Sequence, residues 1–157
     1  MKKIVNKVWI FDIDNTLANV HHRWNHLHGE MKDWKSFFAK QHMDEPYQAV
    51  FDVLASLAKD GHKIIVVTGR DECFREVSLE WLNRHVHYDF PSEDLYMRPN
   101  GNREDDNTLK VKIVKSWLAR HPAYVVGGIF EDRHRIIDAF REEGWYTFEC
   151  NQQRLEY

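Results

Sequence analysis

Ile64-Ile65-Val66-Val67 is an unbroken β-branched run, entered from Lys63, with no polar residue inside it. A strand with one wet face alternates apolar and polar positions, so an uninterrupted run marks a strand buried on both faces of a parallel sheet. The run stops at Thr68-Gly69-Arg70. Two further apolar runs stop in the same way: Val8-Trp9-Ile10-Phe11 at Asp12-Ile13-Asp14, and Ala123 to Phe130 at Glu131-Asp132. Segments with helical spacing separate them. Three strands that end in polar chemistry, with helices between, predict an open α/β sheet whose site lies beyond the carboxyl ends of its strands.

The acids at the first strand end carry the most chemistry. A carboxylate closing an apolar strand must be paired, hydrogen-bonded or bound to a cation, because burying it alone is costly. Asp12 and Asp14, one residue apart, offer the oxygen ligands that Mg²⁺ prefers, leaving room for waters and a substrate phosphate. An aspartate so placed is also a phosphoryl acceptor. The plain alternative is a solvated turn in which Asp14-Asn15-Thr16 caps the next segment. Thr68-Gly69-Arg70 adds a hydroxyl, a flexible backbone and a guanidinium, a set suited to phosphate.

With 157 residues, 43% of them hydrophobic and rich in Trp, Phe and Tyr, the chain has material for the core of a single domain spanning 1–157. The net charge of −3 excludes a whole-molecule basic field, so any nucleic-acid contact is local. Cys73 and Cys150 follow no metal or redox spacing, and no apolar signal segment follows Met1-Lys2-Lys3. Reduced thiols and a cytoplasmic address are expected. No stretch is long enough to span a membrane.

Residues 19–46 differ in texture from the rest and read as an insertion. His21, His22, His26 and His28 raise the possibility of zinc, which the lack of a nearby cysteine disfavours. The aromatics of Asp33-Trp34-Lys35-Ser36-Phe37-Phe38 have helical spacing and are expected to pack as a small cap. Further on, helices are expected over Pro46–Lys59, closed by Asp60-Gly61, and over Asp71–Arg84. Another is expected through Leu109 to Leu118, carrying Lys110, and one from Ile136, stopped at Gly144. Short strands are expected at Asp94–Met97 and Trp145–Phe148, and a loop at Arg98-Pro99-Asn100-Gly101-Asn102-Arg103.

These pieces recur in an order that resembles the haloacid dehalogenase (HAD) superfamily of phosphatases. Asp12-Ile13-Asp14-Asn15-Thr16 matches its first motif, Thr68 its second, Lys110 its third and Glu131-Asp132 its fourth, so the resemblance covers about Val8 to Cys150. Within it, the chain is most similar to the 3′-phosphatase domain of bacteriophage polynucleotide kinase/phosphatase and to free-standing phage and bacterial relatives. Ile65 to Arg70, Met97-Arg98, Gly101 to Arg103, Asp106 to Lys110 and Phe130 to Arg133 carry that likeness. Two positions depart from it: Asn15 where Gly is common, and Glu131 where Asp is common.

The resemblance implies a HAD-like, Rossmann-like open sheet, mostly parallel, with helices on both faces and the small cap at 19–46. It implies Asp12 as nucleophile through an aspartyl-phosphate, Asp14 as general acid and then base, Thr68 on the phosphoryl oxygens and Lys110 neutralising charge. Mg²⁺ would be held by Asp12, the Asp14 carbonyl and Asp132, with Glu131 in the outer shell. Arg23, Arg70, Arg98 and Arg103 would meet the substrate at the mouth, with Trp or His of the 21–24 segment stacking on bases. The expected substrate is a nucleotide or short single-stranded nucleic acid carrying a terminal 3′-phosphate. A 5′-nucleotidase acting on free mononucleotides is the other enzymatic reading, and a catalytically silent HAD-like binding protein is a third. No Gly-x-x-x-x-Gly-Lys-Ser/Thr loop occurs, so a kinase or ligase acting with this chain would be a separate polypeptide.

Overall fold

A computed structural model describes residues 5–156; the Met1-Lys2-Lys3 start discussed above lies outside the described residues. The chain opens with β1 (Asn6–Phe11) and a tight turn, then a two-residue strand β2 (Ala18–Asn19). A 3₁₀ turn (His21–Leu27), α1 (Trp34–Ala39) and a second 3₁₀ turn (Gln41–Met43) lead to β3 (Glu45–Pro46). β2 and β3 pair antiparallel, which clips together the two ends of this insert. There follow α2 (Gln48–Lys59), β4 (Lys63–Asp71), α3 (Arg75–His85) and β5 (Leu95–Arg98). The chain ends with α4 (Asp106–Arg120), β6 (Tyr124–Glu131), α5 (His134–Glu142) and β7 (Thr147–Glu149).

The main sheet runs β5-β4-β1-β6-β7, and every neighbouring pair is parallel. After β1 the chain builds outward through β4 and β5, then returns to the other side of β1 for β6 and β7. The reversal puts a topological switch point at the carboxyl end of β1, where such sheets open a crevice.

Period-2 alternation divides each strand between two cores. Phe11, Ile64 and Val66 face α2 and α3, packing with Phe51, Leu54, Trp81 and Leu82. Val8, Ile10, Ile65, Val67 and Ile129 face the other way, onto Val114 and Trp117 of α4 and Ile136 and Phe140 of α5. Each large side chain removed from water contributes roughly 1.5–3 kcal/mol before conformational entropy is counted. The helices form where spacing predicts them. Gly61, at φ +84, supplies the left-handed residue that ends α2.

Boundaries shift for identifiable reasons. β4 continues through Thr68 and Gly69 to Asp71 because β5 stays beside it, pairing Arg98 with Asp71. The expected helix from Asp71 begins instead as a 3₁₀ turn, with the Asp71 carboxylate accepting from the Cys73 amide at 3.1 Å, and becomes α-helical only at Arg75.

The β1–β6 pairing carries a register shift between Val8 and Trp9, and there the Trp9 ring lies across two glycines. A Cβ on Gly127 or Gly128 would come within 2.6 Å of that ring. Since these two strands deliver Asp12 and Glu131 to the same point, Gly128→Val is expected to destabilise by about 1–3 kcal/mol through overpacking. Chemical denaturation checks this; wild-type stability would show that the ring moves aside freely.

Candidate active site

β1 ends at a carboxylate that is almost wholly enclosed: Asp12 is 5% exposed. Its amide donates to the Phe130 carbonyl at 3.0 Å, extending the β1–β6 ladder one residue beyond the strand. Asp12 is therefore fixed next to Glu131 and Asp132. Lys110, brought in by the first turns of α4, donates from Nζ to Asp12 Oδ1 at 2.7 Å and to Glu131 Oε2 at 2.6 Å. The Thr16 hydroxyl donates to Asp12 Oδ2 at 3.3 Å. Glu131 uses its other oxygen to accept from the amides of Asp132 and Arg133, at 3.1 and 3.3 Å.

Three acids share one ammonium here, and that sets the electrostatics. Burial first and the Glu131 charge second push the Asp12 carboxyl up to about 7, against the pull of Lys110. Burial, then Glu131 and Asp12, raise Asp132 well above the usual carboxylate range. For Lys110 burial opposes protonation, yet the charges of Asp12, Glu131 and Asp106 outweigh it and hold the ammonium firmly charged. Ligand atoms of Asp12, Glu131 and Asp132 lie within 4.8 Å of one another, and among the described residues they are the acid or histidine group that converges in this way. A hard cation fits on two grounds: the donors are carboxylate oxygens, and the surplus negative charge is buried. His21, His22, His26 and His28 do not form such a group; the His22 ring meets Asp44 at 2.8 Å.

Asp14 does not stand beside Asp12 facing the same ligands. Arg70 donates to it from Nε at 2.9 Å and from an Nη at 2.8 Å, and Arg23 adds a third bond at 2.6 Å. Burial works against ionisation of Asp14, but the Arg70 and Arg23 charges overcome it and hold the carboxyl far below its usual range. Arg23, fully buried, also grips Asp44 with two bonds of 2.7 and 2.6 Å and stacks 4.0 Å above the Phe37 ring. Arg70 further donates to Gln41 and Ser78, at 2.8 and 3.1 Å. This neutral cluster of two arginines and two aspartates ties the insert to the end of β4.

The other expected residues separate into two groups. Thr68 is fully buried, and its hydroxyl accepts from the Arg70 amide at 3.2 Å. Arg98 lines the cleft, but its guanidinium is spent inside the protein: it donates to the carbonyls of Gly69 and Glu104 at 3.2 and 2.7 Å, to the Asn102 side chain at 2.8 Å, and to Asp106. It pins the 99–105 loop and is not free to greet a ligand. Arg103 is exposed on that loop and outside the cleft lining. The cleft itself has a volume of about 270 Å³, with Asp12, Lys110 and Arg70 at its base.

Sequence reading missed three participants. Asp106 takes ion pairs from both Arg98 and Arg133, and a Cβ on Gly69 would strike its Oδ1 at 2.6 Å, so Gly69 is required for close approach as much as for flexibility. Asp106 sits four residues before Lys110, one helical turn away, and that spacing was the available signal. Asn15 adopts φ +58, the left-handed region that Asn tolerates best after Gly. Its side chain donates to Asp132 Oδ2 at 3.2 Å and to Asn151 at 2.7 Å, and accepts from the Tyr47 hydroxyl at 3.3 Å. Of the aromatics on the cleft the most open is Trp34, 41% exposed, while Trp24 of the His-rich segment is 6% exposed and lies outside that lining.

An all-parallel open sheet with its switch point at an aspartate-bearing strand end, two acids at the end of the neighbouring strand and a lysine on the helix that precedes it is the arrangement of HAD-type phosphatase folds. The family described as the polynucleotide kinase PNKP phosphatase domain matches residues 6–154, nearly the whole chain, and the protein belongs to that family. Among solved structures the chain is similar to a component of the Pnkp1/Rnl/Hen1 RNA repair complex, with 24% identity and a TM-score of 0.71, over 92% of this chain and 42% of that one. It thus spans less than half of that protein's length. It is also similar in fold to the class C acid phosphatase from Bacillus anthracis, at 12% identity and TM-score 0.67, covering 95% of this chain and 68% of that one. A third likeness is to the haloacid dehalogenase-like protein SP0104 from Streptococcus pneumoniae, at 15% identity and TM-score 0.63, covering 95% and 85% of the two chains. No curated protein matches the chain. Among the described residues no helix is long and apolar enough to cross a membrane.

The raised Asp12 carboxyl has a signed consequence for stability. Between its ordinary pKa of 3.8 and about 7, folded protein binds more protons at this site than unfolded protein. This contribution is therefore fully present below the lower value and is lost as pH rises through the upper one. In chelator-treated protein, Asp12→Asn is expected to raise the melting temperature relative to wild type at pH 8, with the gap narrowing toward pH 4. A gap independent of pH would contradict the electrostatic account.

Proposed function

We propose that this chain is a Mg²⁺-dependent phosphomonoesterase that removes terminal 3′-phosphates from oligonucleotides or nucleotides through an aspartyl-phosphate on Asp12. The observation that carries the reading is the buried Asp12 carboxylate, held by Lys110 and Thr16 beside a second pair of acids. Asp12 and Lys110 line one cleft, and ligand oxygens of Glu131 and Asp132 lie within 4.8 Å of that of Asp12. Asp12 and Asp132 would hold the metal together with the Asp14 carbonyl. Glu131, whose two oxygens are engaged by Lys110 and by two amides, would act from outside that shell. Bound Mg²⁺ supplies charge neutralisation at the phosphoryl oxygens and lowers the proton affinity of the carboxylates it touches.

In the first step an Asp12 oxygen forms the bond to phosphorus while the ester P–O bond breaks, and the leaving oxygen takes a proton from Asp14. In the second step water attacks phosphorus, its proton goes to Asp14, and the P–O bond to Asp12 breaks to release phosphate. Lys110 and Thr68 serve the phosphoryl group, chiefly by charge and position.

Asp14 in its resting ion pairs has no proton to give. The reading therefore assigns Arg70 a shared role: an incoming phosphate dianion draws the guanidinium from Asp14, and the released carboxyl regains proton affinity beside the leaving oxygen. Arg70 lines the cleft and suits this exchange, whereas Arg23, outside the lining, stays with Asp44 and holds the insert. The insert, read as a cap, then closes one side of the reaction chamber. The likeness to a component of an RNA repair complex supports a nucleic-acid end as the substrate.

Phosphate release from one oligonucleotide phosphorylated at its 3′ or its 5′ end, with the matching mononucleotides, each assayed with and without Mg²⁺, tests the whole reading. Mg²⁺-dependent 3′ preference is expected. A clear preference for 5′-mononucleotides, which the small cleft would suit, would move the protein to the nucleotidase reading. Asp132→Ala is expected to weaken Mg²⁺ binding measured by calorimetry at least tenfold, consistent with loss of a direct ligand. Glu131→Gln should weaken it less; the opposite ranking reverses the two roles.

A further inference from the structure

Trp34 is the first residue of α1 and stands on the wall of the cleft that has Asp12, Lys110 and Arg70 at its base. Among the three aromatic side chains in that lining, Phe37 is buried and Phe38 half-buried, but Trp34 is 41% exposed. Its open surface therefore faces the charged site, where a ligand could reach it. The ring is nevertheless braced. It stacks on Phe38 with centroids 6.0 Å apart and an interplanar angle of 22°, and meets the Phe37 edge at 5.8 Å and 86°. Phe38 in turn packs on Phe74, and Phe37 lies under the Arg23 guanidinium. The indole is thus an exposed surface on a rigid aromatic stack, so little side-chain freedom remains to be lost when something lies on it.

We propose that Trp34 forms a nucleobase-stacking subsite, which holds the base of the nucleotide whose phosphate is cleaved. This rests on the proposed nucleotide-directed phosphatase reading. The chemistry of the cleft gives the argument its direction. Its cations are largely paired internally, Arg98 with Asp106 and Arg70 with Asp14, so ionic contacts alone offer little hold on the part of a substrate beyond the phosphate. A base has a π-face whatever its identity, and stacking on an aromatic ring is therefore strong but tolerant of sequence. The exposed Lys32 ammonium lies over the Trp34 ring, 5.9 Å from its centroid, and would swing aside as a base stacks there. It is placed to meet the next backbone phosphate of an oligonucleotide, a contact that a mononucleotide lacks.

The test compares a short single-stranded oligonucleotide, phosphorylated at the end the enzyme prefers, with the same oligonucleotide made abasic at that terminal position. Wild type, Trp34→Phe, Trp34→Leu and Trp34→Ala are assayed with Mg²⁺. Trp34→Ala should raise KM for the intact substrate about 5- to 150-fold, the equivalent of the ~1–3 kcal/mol that one stacked base contributes, with kcat little changed. Trp34→Phe should fall between wild type and Trp34→Leu, which keeps apolar bulk without a π-face. On the abasic substrate all four proteins should share one raised KM. An equal KM increase on both substrates would make Trp34 merely a packing residue of the insert and overturn the proposal. Equal wild-type KM on both substrates would overturn the subsite while leaving the phosphatase reading intact. Hydrolysis of simple phosphomonoesters but of neither oligonucleotide would overturn the nucleic-acid reading and the subsite with it.

Discussion

Everything at the carboxyl end of the sheet depends on a charge imbalance that is built in and buried. Asp12, Glu131 and Asp132 converge around the single ammonium of Lys110, with none of the four more than slightly exposed. Left alone this arrangement is costly, since like charges in a region of low polarisability repel and desolvation penalises each carboxylate. The parallel sheet supplies the rigidity to hold it. β1 and β6 carry the acids on adjacent strand ends, α4 packs against β4 and α5, and Lys110 has no room to swing away. A cluster whose oxygens could hold a hard cation is thus fixed in place by the fold.

A second ionic cluster, one layer out, does different work. Asp14, Arg23, Asp44 and Arg70 nearly cancel one another, and their bonds run between the insert and the ends of β1 and β4. Neutral overall and saturated with hydrogen bonds, it is the kind of buried network that fixes geometry more than it adds stability. It also links the insert to the residues of the cleft, because Arg70 and Asp14 share hydrogen bonds with Asp44 and Arg23. Asn15, between the two clusters, joins Asp132 to Tyr47 and to the C-terminal segment at Asn151. One residue thereby supplies both a left-handed turn and hydrogen bonds.

How much of this could be read from sequence follows from the range of each interaction. The unbroken Ile64–Val67 run and the polar ends of three strands identified the sheet, its parallel sense and the location of the site, since burial on both faces leaves a local signature. That Asp12, Lys110 and Asp132 would come together was legible because their order and context form a pattern. The partners of Arg98 were illegible: nothing in Met97-Arg98-Pro99 tells that its donors are used on Gly69 and Asp106. The expectation that Trp24 stands at the mouth, with Trp34 packed in the cap, failed for a related reason. Both lie in the same aromatic-rich insert, and only the packed position of α1 shows that one faces the core and the other the cleft. Asp14's double arginine clamp spans 56 residues on one side and nine on the other, beyond any local pattern.

The claim on which the account stands is that Asp12 itself carries phosphate during turnover. Acid-quenching the protein with a phosphorylated oligonucleotide and Mg²⁺ within the first turnover, then mapping by peptide mass spectrometry, tests it directly. The account predicts one phosphoryl group on the peptide containing Asp12, formed with Mg²⁺ and absent from Asp12→Asn. Steady phosphate release with no adduct on that peptide at any quench time, together with substantial activity in Asp12→Asn, would contradict it.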